Sequence, residues 1–241
     1  MTAWPGLRAV PLGGWLLRFG DGHTKRANSL TLLRGEGGDP AARLARSEGL
    51  FADAGLPACV RFSDYADAPT RRALDDFGYA EPFDTTVTLW RSLESSDHLA
   101  AEAEILAGAP TAEWLDDKDR INADSPADAA ARRKILAAIA VPAAYAGVRG
   151  PDGRYGAVAY VAVHQGIASL NMVATDPALR GRRMAEQACA GLLAWARTDA
   201  GAREACLQVV ETNAPARRLY ARMGFGDPLY RYHYRLKGQR P

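Results

Sequence analysis

The chain has 241 residues, a formal net charge of +2 and 48% hydrophobic residues, which predicts a packed protein of one large or two small domains. Charges this close to balance argue against a nucleic-acid partner, which calls for a strong basic excess. The start, Met-Thr-Ala-Trp-Pro-Gly, lacks a charged stretch followed by an apolar core, and no apolar run is long enough to span a bilayer, so neither a signal peptide nor a membrane partner is expected.

Gly14 to Phe19 reads as a strand, Gly20-Asp21-Gly22 as a turn and Ser29 to Leu33 as a second strand. Arg34 to Pro40 is a loop, Ala41 to Ala54 a helix, Ala58 to Phe62 a short strand, Pro69 to Phe77 a short helix and Thr85 to Trp90 a strand. Ser92 to Asp97 reads as a connection. Leu99 to Leu106, Trp114 to about Ile121, and Asp128 to Ile139 read as helices with Ala-rich and acidic faces. The apolar runs Ala144 to Val148 and Gly156 to Val163 are joined through Gly150-Pro151-Asp152-Gly153, a hairpin turn, and Ile167 to Ala174 completes an antiparallel set. Strands and helices alternate, so the fold class is α/β. Cys59, Cys189 and Cys206 are widely spaced in apolar segments, which suits free thiols in a reducing, cytoplasmic setting. The Cys and His residues lack metal-ligand spacing, so no metal is expected.

One stretch carries chemistry. After the strand ending near Thr175 comes a turn at Asp176-Pro177, then the loop Arg180-Gly181-Arg182-Arg183-Met184-Ala185. Met184, Ala188, Leu192 and Trp195 then recur at helical spacing, for a helix from near Arg182 to near Gly201. The first amides of a helix have no intrahelical partner, and a turn before them adds converging amides. Such a loop is a nest for a polyanion. Arg180, Arg182 and Arg183 add positive charge, and small Gly181 and Ala185 let a phosphate approach the backbone. Taken alone, the same residues also suit an ordinary strand-loop-helix with a solvated basic turn.

The loop resembles the acetyl-CoA signature of the GNAT N-acetyltransferase superfamily, Gln/Arg-x-x-Gly-x-Gly/Ala. Arg180 and Ala185 match its first and last positions; the fourth is Arg183 instead of Gly. A second segment follows in order: the strand run Leu207-Gln208-Val209-Val210, then Asn213, Ala216, Leu219-Tyr220 and Gly224-Phe225. It is similar to the family pattern of Asn followed seven positions later by Tyr, then Gly-Phe.

The first half echoes the second. An offset of 146 residues aligns Gly78 with Gly224, Pro69 with Pro215, Arg71 with Arg217, Arg72 with Arg218, Pro82 with Pro228, and Arg34-Gly35 with Arg180-Gly181. An internal duplication is expected. Residues 1–94 resemble a degenerate GNAT half in which Leu74 stands for Tyr220 and Asp67 for Asn213; residues 95–241 form the catalytic half. The resemblance implies the GNAT fold, a mixed, mostly antiparallel sheet flanked by helices. If the duplication holds, the smaller N-terminal domain is expected to have lost the chemistry, to pack on the catalytic one and to wall its substrate cleft.

The resemblance also implies a reaction. Backbone groups of Val173, Ala174 and Thr175 pair with the pantetheine arm and thioester of acetyl-CoA, the co-substrate, and a backbone amide stabilises the oxyanion. The amine attacks directly, Tyr220 is the general acid, and Asn213 binds the CoA arm or caps the helix that Pro215 begins. Some relatives place a basic Glu where this chain has Gln208; Glu211, three residues on, is the nearest carboxylate to serve through water. Trp15, Trp90 and Trp114 suit packing better than an acceptor pocket. The acceptor is a small-molecule or peptide amine, and the protein a monomer or homodimer. The alternative is a binding module of the same fold that holds acyl-CoA without turnover.

Overall fold

The computed structural model describes residues 2–32, 38–93, 103–226 and 228–238. The chain divides into two compact units. One comprises Trp4–Val87, Val210–Thr212 and Tyr230–Pro241; the other comprises Met1–Ala3, Thr88–Val209 and Asn213–Leu229.

The first unit contains β1 (Arg8–Leu12), β2 (Trp15–Phe19), β3 (Ser29–Leu32), α1 (Pro40–Asp53), β4 (Cys59–Ser63), α2 (Ala68–Asp76) and the start of β5 (Phe83–Ser92). The strands β1, β2 and β3 pair antiparallel in sequence; β3 and β4 run parallel, as a helical crossover requires. Asp39 caps α1 by accepting from the amide of Ala41, and Pro40 sits where a missing N–H is harmless. Leu44 and Phe51 of α1 and Leu74 of α2 pack on Leu17, Leu30, Val60 and Phe62 of the strands. Burial of each such side chain contributes roughly 1.5–3 kcal/mol. The strand β1 has no counterpart in the sequence reading because Pro11 interrupts it. It lies at a sheet edge, where the missing donor costs no ladder bond.

The second unit contains β6 (Glu104–Ala107), α3 (Ala112–Asn122), α4 (Pro126–Ala137), β7 (Ala143–Arg149), β8 (Tyr155–His164), β9 (Ile167–Thr175), a 3-10 turn (Pro177–Leu179), α5 (Met184–Thr198), β10 (Glu204–Val210) and α6 (Ala214–Arg222). The strands β6 to β9 are consecutive and antiparallel, and β10 runs parallel to β9. The hairpin turn is where the glycines place it: the Gly150 amide donates to the carbonyl of Arg154 and the Gly153 amide to that of Gly150. A correction concerns Leu99 to Leu106, expected as helix. Residues 99–102 lie outside the described residues, and Glu104–Ala107 is strand β6, paired antiparallel with Gly147 to Ala144 of β7. The sheet edge offers these four residues more backbone bonds than a helix cut short by Gly108 and Pro110 could. The rest of the expected connection from Ser92 to Asp97 is undescribed beyond Leu93, as is the loop at Arg34 to Gly37 and hence its match to Arg180-Gly181.

The order of elements repeats once along the chain. The series β3-α1-β4-α2-β5 is repeated as β9-α5-β10-α6-β11, where β11 is Pro228–Leu236. In each, a long helix crosses between parallel strands, and a short helix leads to a last strand. The two short helices end in left-handed glycines, Gly78 (φ 71°) and Gly224 (φ 80°). The last strand of each series starts in one unit and ends in the other, β5 passing at Thr88 and β11 at Tyr230. Within the first unit β11 pairs antiparallel with β4. Among the described residues no helix is long and apolar enough to cross a membrane.

Candidate functional site

The strand β9 sets the site. It pairs with β8 along most of its length, but the register slips: Tyr160 faces Asn171 while Val158 faces Ala174. The extra residue is absorbed at Met172, whose φ is +52°, a bulge that bends the strand. On the other side β9 pairs with β10 only from Ile167–Glu204 to Leu170–Leu207. Beyond Leu170 the two strands part. Backbone groups of Val173, Ala174 and Thr175 therefore have a side that no β10 partner occupies, and all three residues are half-buried.

The chain then turns under tight control. The Asp176 amide donates to the carbonyl of Gly156 at 2.8 Å, and its carboxylate accepts from the amide of Ala178 at 3.0 Å. The second carboxylate oxygen takes the guanidinium of Arg120 from α3. The Ala178 amide, and then Arg120, hold the Asp176 carboxyl below its ordinary range. Arg120 also donates to the carbonyl of Tyr155 at 2.8 Å and pairs with buried Asp117 at 3.0 Å. Asp117 in turn accepts from the Tyr155 amide at 2.9 Å and pairs with Arg154 at 2.7 Å. A ladder of charge-assisted bonds thus pins the loop to β8. The sequence reading missed Asp117 and Arg120, although their three-residue spacing on a helix was available as a signal. Gly156 permits the close approach: a Cβ there would strike Leu179 and come within 2.7 Å of the Met184 terminal methyl.

Arg180, Gly181, Arg182 and Arg183 are exposed, Met184 is buried and Ala185 half-buried. Gly181 has φ +82° and Arg183 has φ +58°. Arg183 is therefore left-handed at the position where the family pattern has glycine, and it precedes the first turn of α5. No side chain caps that helix, and its first bond runs from Gln187 back to Arg183. The amides of Met184, Ala185 and Glu186 point out of an uncapped N-terminus flanked by three arginines.

Tyr220 lies on α6 and is 7% exposed, its ring edge-on to Phe225 at 6.0 Å. Burial, with Cys189 of α5 nearby, raises its hydroxyl pKa well above the ordinary value, so it stays protonated at neutral pH. An Arg222–Glu186 ion pair at 3.1 Å ties α6 to α5. Asn213 caps α6, its side-chain oxygen accepting from the Ala216 amide at 3.1 Å. Gln208 is half-buried on β10. Glu211 belongs to the first unit, where it pairs with Arg231 at 3.0 Å and its amide donates to the carbonyl of Thr85. Trp15 and Trp114 are core residues, Trp114 donating to the carbonyl of Ala146; Trp90 donates to Glu204. Among the described residues no group of three or more His, Cys, Asp or Glu side chains is arranged to hold a metal ion.

Comparisons with known proteins agree with this architecture. The family model described as "Probable histone acetyltransferase Rv0428c C-terminal" matches residues 1–235. The "Uncharacterized N-acetyltransferase YobR" of Bacillus subtilis (strain 168) is 26% identical over 240 residues, covering 98% of this chain and 95% of the relative. Among solved structures, a GCN5-related N-acetyltransferase from Kribbella flavida superposes with a TM-score of 0.70 at 18% identity, over 98% of this chain and 91% of that one. A tandem GNAT protein from the clavulanic acid biosynthesis pathway superposes with a TM-score of 0.68 at 14% identity, over 94% of this chain and 79% of that one. At these identities the structural likeness is one of fold.

Proposed function

The chain belongs to the family described as the C-terminal part of the probable histone acetyltransferase Rv0428c, with a tandem GNAT fold, and from that premise we propose that it is an N-acetyltransferase moving an acetyl group from acetyl-CoA to a primary amine in a ternary complex. The observation that carries the reading is the parting of β9 from β10 beside the uncapped start of α5. A thioester-bearing chain needs an extended backbone edge to lie along, and its diphosphate needs converging amides. Both are supplied within one unit, by consecutive residues.

In this reading the amides from Gly181 to Ala185 hold the diphosphate, with Arg180, Arg182 and Arg183 balancing its charge. Val173, Ala174 and Thr175 align the pantetheine arm and present an amide to the thioester carbonyl, where negative charge develops as the amine attacks. Most of the rate gain comes from holding amine and carbonyl together, since the nucleophile belongs to the acceptor. The tetrahedral intermediate collapses with loss of the CoA sulfur, and the acetyl group leaves on nitrogen. Tyr220, protonated at working pH, donates a hydrogen bond to that sulfur as it gains charge. Asn213 contacts the CoA arm while capping α6. The amine proton passes to water; Glu211, the carboxylate expected to help there, lies in the first unit and pairs in it with Arg231.

The test is release of free CoA from acetyl-CoA across a panel of small-molecule and peptide amines, with the acetylated product identified by mass. Thiol release above background with at least one amine is expected. Tight acetyl-CoA binding with no release for any amine would replace the enzyme by a non-turning-over binder.

A further inference from the structure

The first unit has a second polar feature that the transfer reaction does not use. Its sheet has two faces. The one bearing Leu17, Leu30 and Val60 is covered by α1 and α2. Side chains alternate along a strand, so the pairings Arg18–Ser29, Thr31–Arg61 and Arg61–Tyr234 place these residues on the opposite face, together with Tyr232. Arg18 is 2% exposed and Arg61 is 7% exposed.

Among the described residues neither guanidinium meets a carboxylate. Arg18 donates to the carbonyls of Trp4 (3.2 Å) and Arg26 and lies 3.5 Å from the Thr31 hydroxyl; these acceptors orient it without neutralising it. Arg61 stacks on Tyr232, 3.7 Å from the ring centre. The Nε atoms of both arginines and the hydroxyl of Ser29 are buried with no hydrogen-bond partner. Burial, then the charges of Arg61 and Arg26, push Arg18 down to about 10. Buried charges are ordinarily paired, and buried donors ordinarily bonded. Two like charges on one buried face, near enough for Arg61 to repel the charge of Arg18, with three polar atoms unbonded among the described residues, form an arrangement suited to a counter-charge.

We propose that this face of the first unit binds a small oxyanion, the carboxylate or phosphate group of a small molecule, between the guanidinium groups of Arg18 and Arg61, with the Ser29 hydroxyl as a further donor. The planar fork of each arginine matches two oxygens of such a group. Tyr232 fixes the plane of Arg61 by stacking. The site draws its donor side chains from β2, β3 and β4 and its stacking ring from β11, and it stands whether or not the chain transfers acetyl groups.

The test reads the arginines themselves. Nitrogen-15 NMR would follow the Nε–H signals of Arg18 and Arg61 in the full chain. The titrants are inorganic phosphate, succinate and, at matched ionic strength, sodium chloride. Saturable shifts of both signals with phosphate or succinate but not chloride are expected, and the more effective titrant identifies the ligand group. Arg61→Met should weaken the response at Arg18 at least tenfold. Arg61→Lys, which keeps the charge and loses the fork, and Ser29→Ala should weaken it several-fold, and they serve if the Met variant fails to fold. No saturable shift with either oxyanion, or an Arg18 response unchanged in the foldable Arg61 variants, overturns the proposal.

Discussion

Asp67 and Asn213 make the same hydrogen bond in two different helices: each side-chain oxygen accepts from the amide three residues on, that of Thr70 at 2.7 Å and that of Ala216 at 3.1 Å. The helices they cap, α2 and α6, start and end at equivalent positions of the two repeats. What differs is the residue seven positions after each cap. Leu74 is a core residue with no polar atom to offer, whereas Tyr220, also buried, brings a hydroxyl. The repeat thus keeps the scaffold in both halves and the candidate chemistry in one.

This shared cap makes the two roles of Asn213 separable. Asn213→Asp retains an oxygen that can cap α6, and its stability should stay within about 0.5 kcal/mol of the parent, whereas Asn213→Ala should lose about 1 kcal/mol. If the side-chain amide also contacts the CoA arm, both variants should raise KM for acetyl-CoA by a similar factor. A KM that rises only in the Ala variant, in step with its lost stability, assigns Asn213 to capping alone.

Tyr220→Phe removes one oxygen from a site that keeps its ring contact with Phe225. The kcat for acetyl transfer should fall on the order of 10²-fold, the lower end of proton-transfer contributions, with KM for acetyl-CoA nearly unchanged. Because burial raises the Tyr220 pKa above its ordinary 10.0, the parent enzyme should show no decline from tyrosine ionisation below that pH. A variant with full kcat would refute the assignment; a basic limb near pH 8 that vanishes in Tyr220→Phe would keep the role and overturn the raised pKa.

What was legible in the sequence was what is decided locally. Caps followed by prolines open α1, α2 and α6, left-handed glycines follow α1, α2, α5 and α6, and a basic glycine loop after a strand marks itself. What was not legible depends on distant partners. Glu104–Ala107 becomes a strand because β7 offers it an edge, and Pro11 is tolerated because β1 is itself an edge. The parting of β9 and β10 after Leu170 leaves no mark in composition, since it is a failure of pairing, and only the family resemblance led one to expect it. Arg18 and Arg61 look like any surface arginines; only the cross-strand register puts them on one face of the sheet, where both are buried.

Arg183 holds a left-handed backbone, φ +58°, without glycine's freedom. That conformation costs a residue with a Cβ about 1 kcal/mol. Arg183→Gly should therefore raise stability by about 0.5–1 kcal/mol, and Arg183→Val, β-branched, should lower it by a similar amount. Chemical denaturation of the three proteins checks the order Gly, Arg, Val. If the loop amides bind the diphosphate, the Val variant should also raise KM for acetyl-CoA, because the turn that aims those amides is disturbed. Equal stabilities for Gly and Val would show that the turn carries no strain.

Lys118 on α3 is 2% exposed, and burial pushes its pKa from 10.5 down to about 8. The nearby carboxylates of Asp119 and Asp124 favour its charge but are engaged by Arg132. The sign follows from proton binding. Between about pH 8 and 10.5 the unfolded chain holds the Lys118 proton more tightly than the folded one, so this group makes folding stability rise with pH across that window. Below pH 8 the folded protein carries the full cost of a buried ammonium, on the order of 3 kcal/mol for a shift of this size. Lys118→Met, close in shape and uncharged, should be more stable than the parent at pH 7, and its advantage should shrink steadily as pH rises toward 10.5. Urea denaturation of both proteins at pH 7, 8.5 and 10 reads this directly. The slope with pH is the diagnostic part, because any packing gain from Met does not titrate. A difference that stays constant across the three pH values would mean that Lys118 keeps its charge at no cost in the fold.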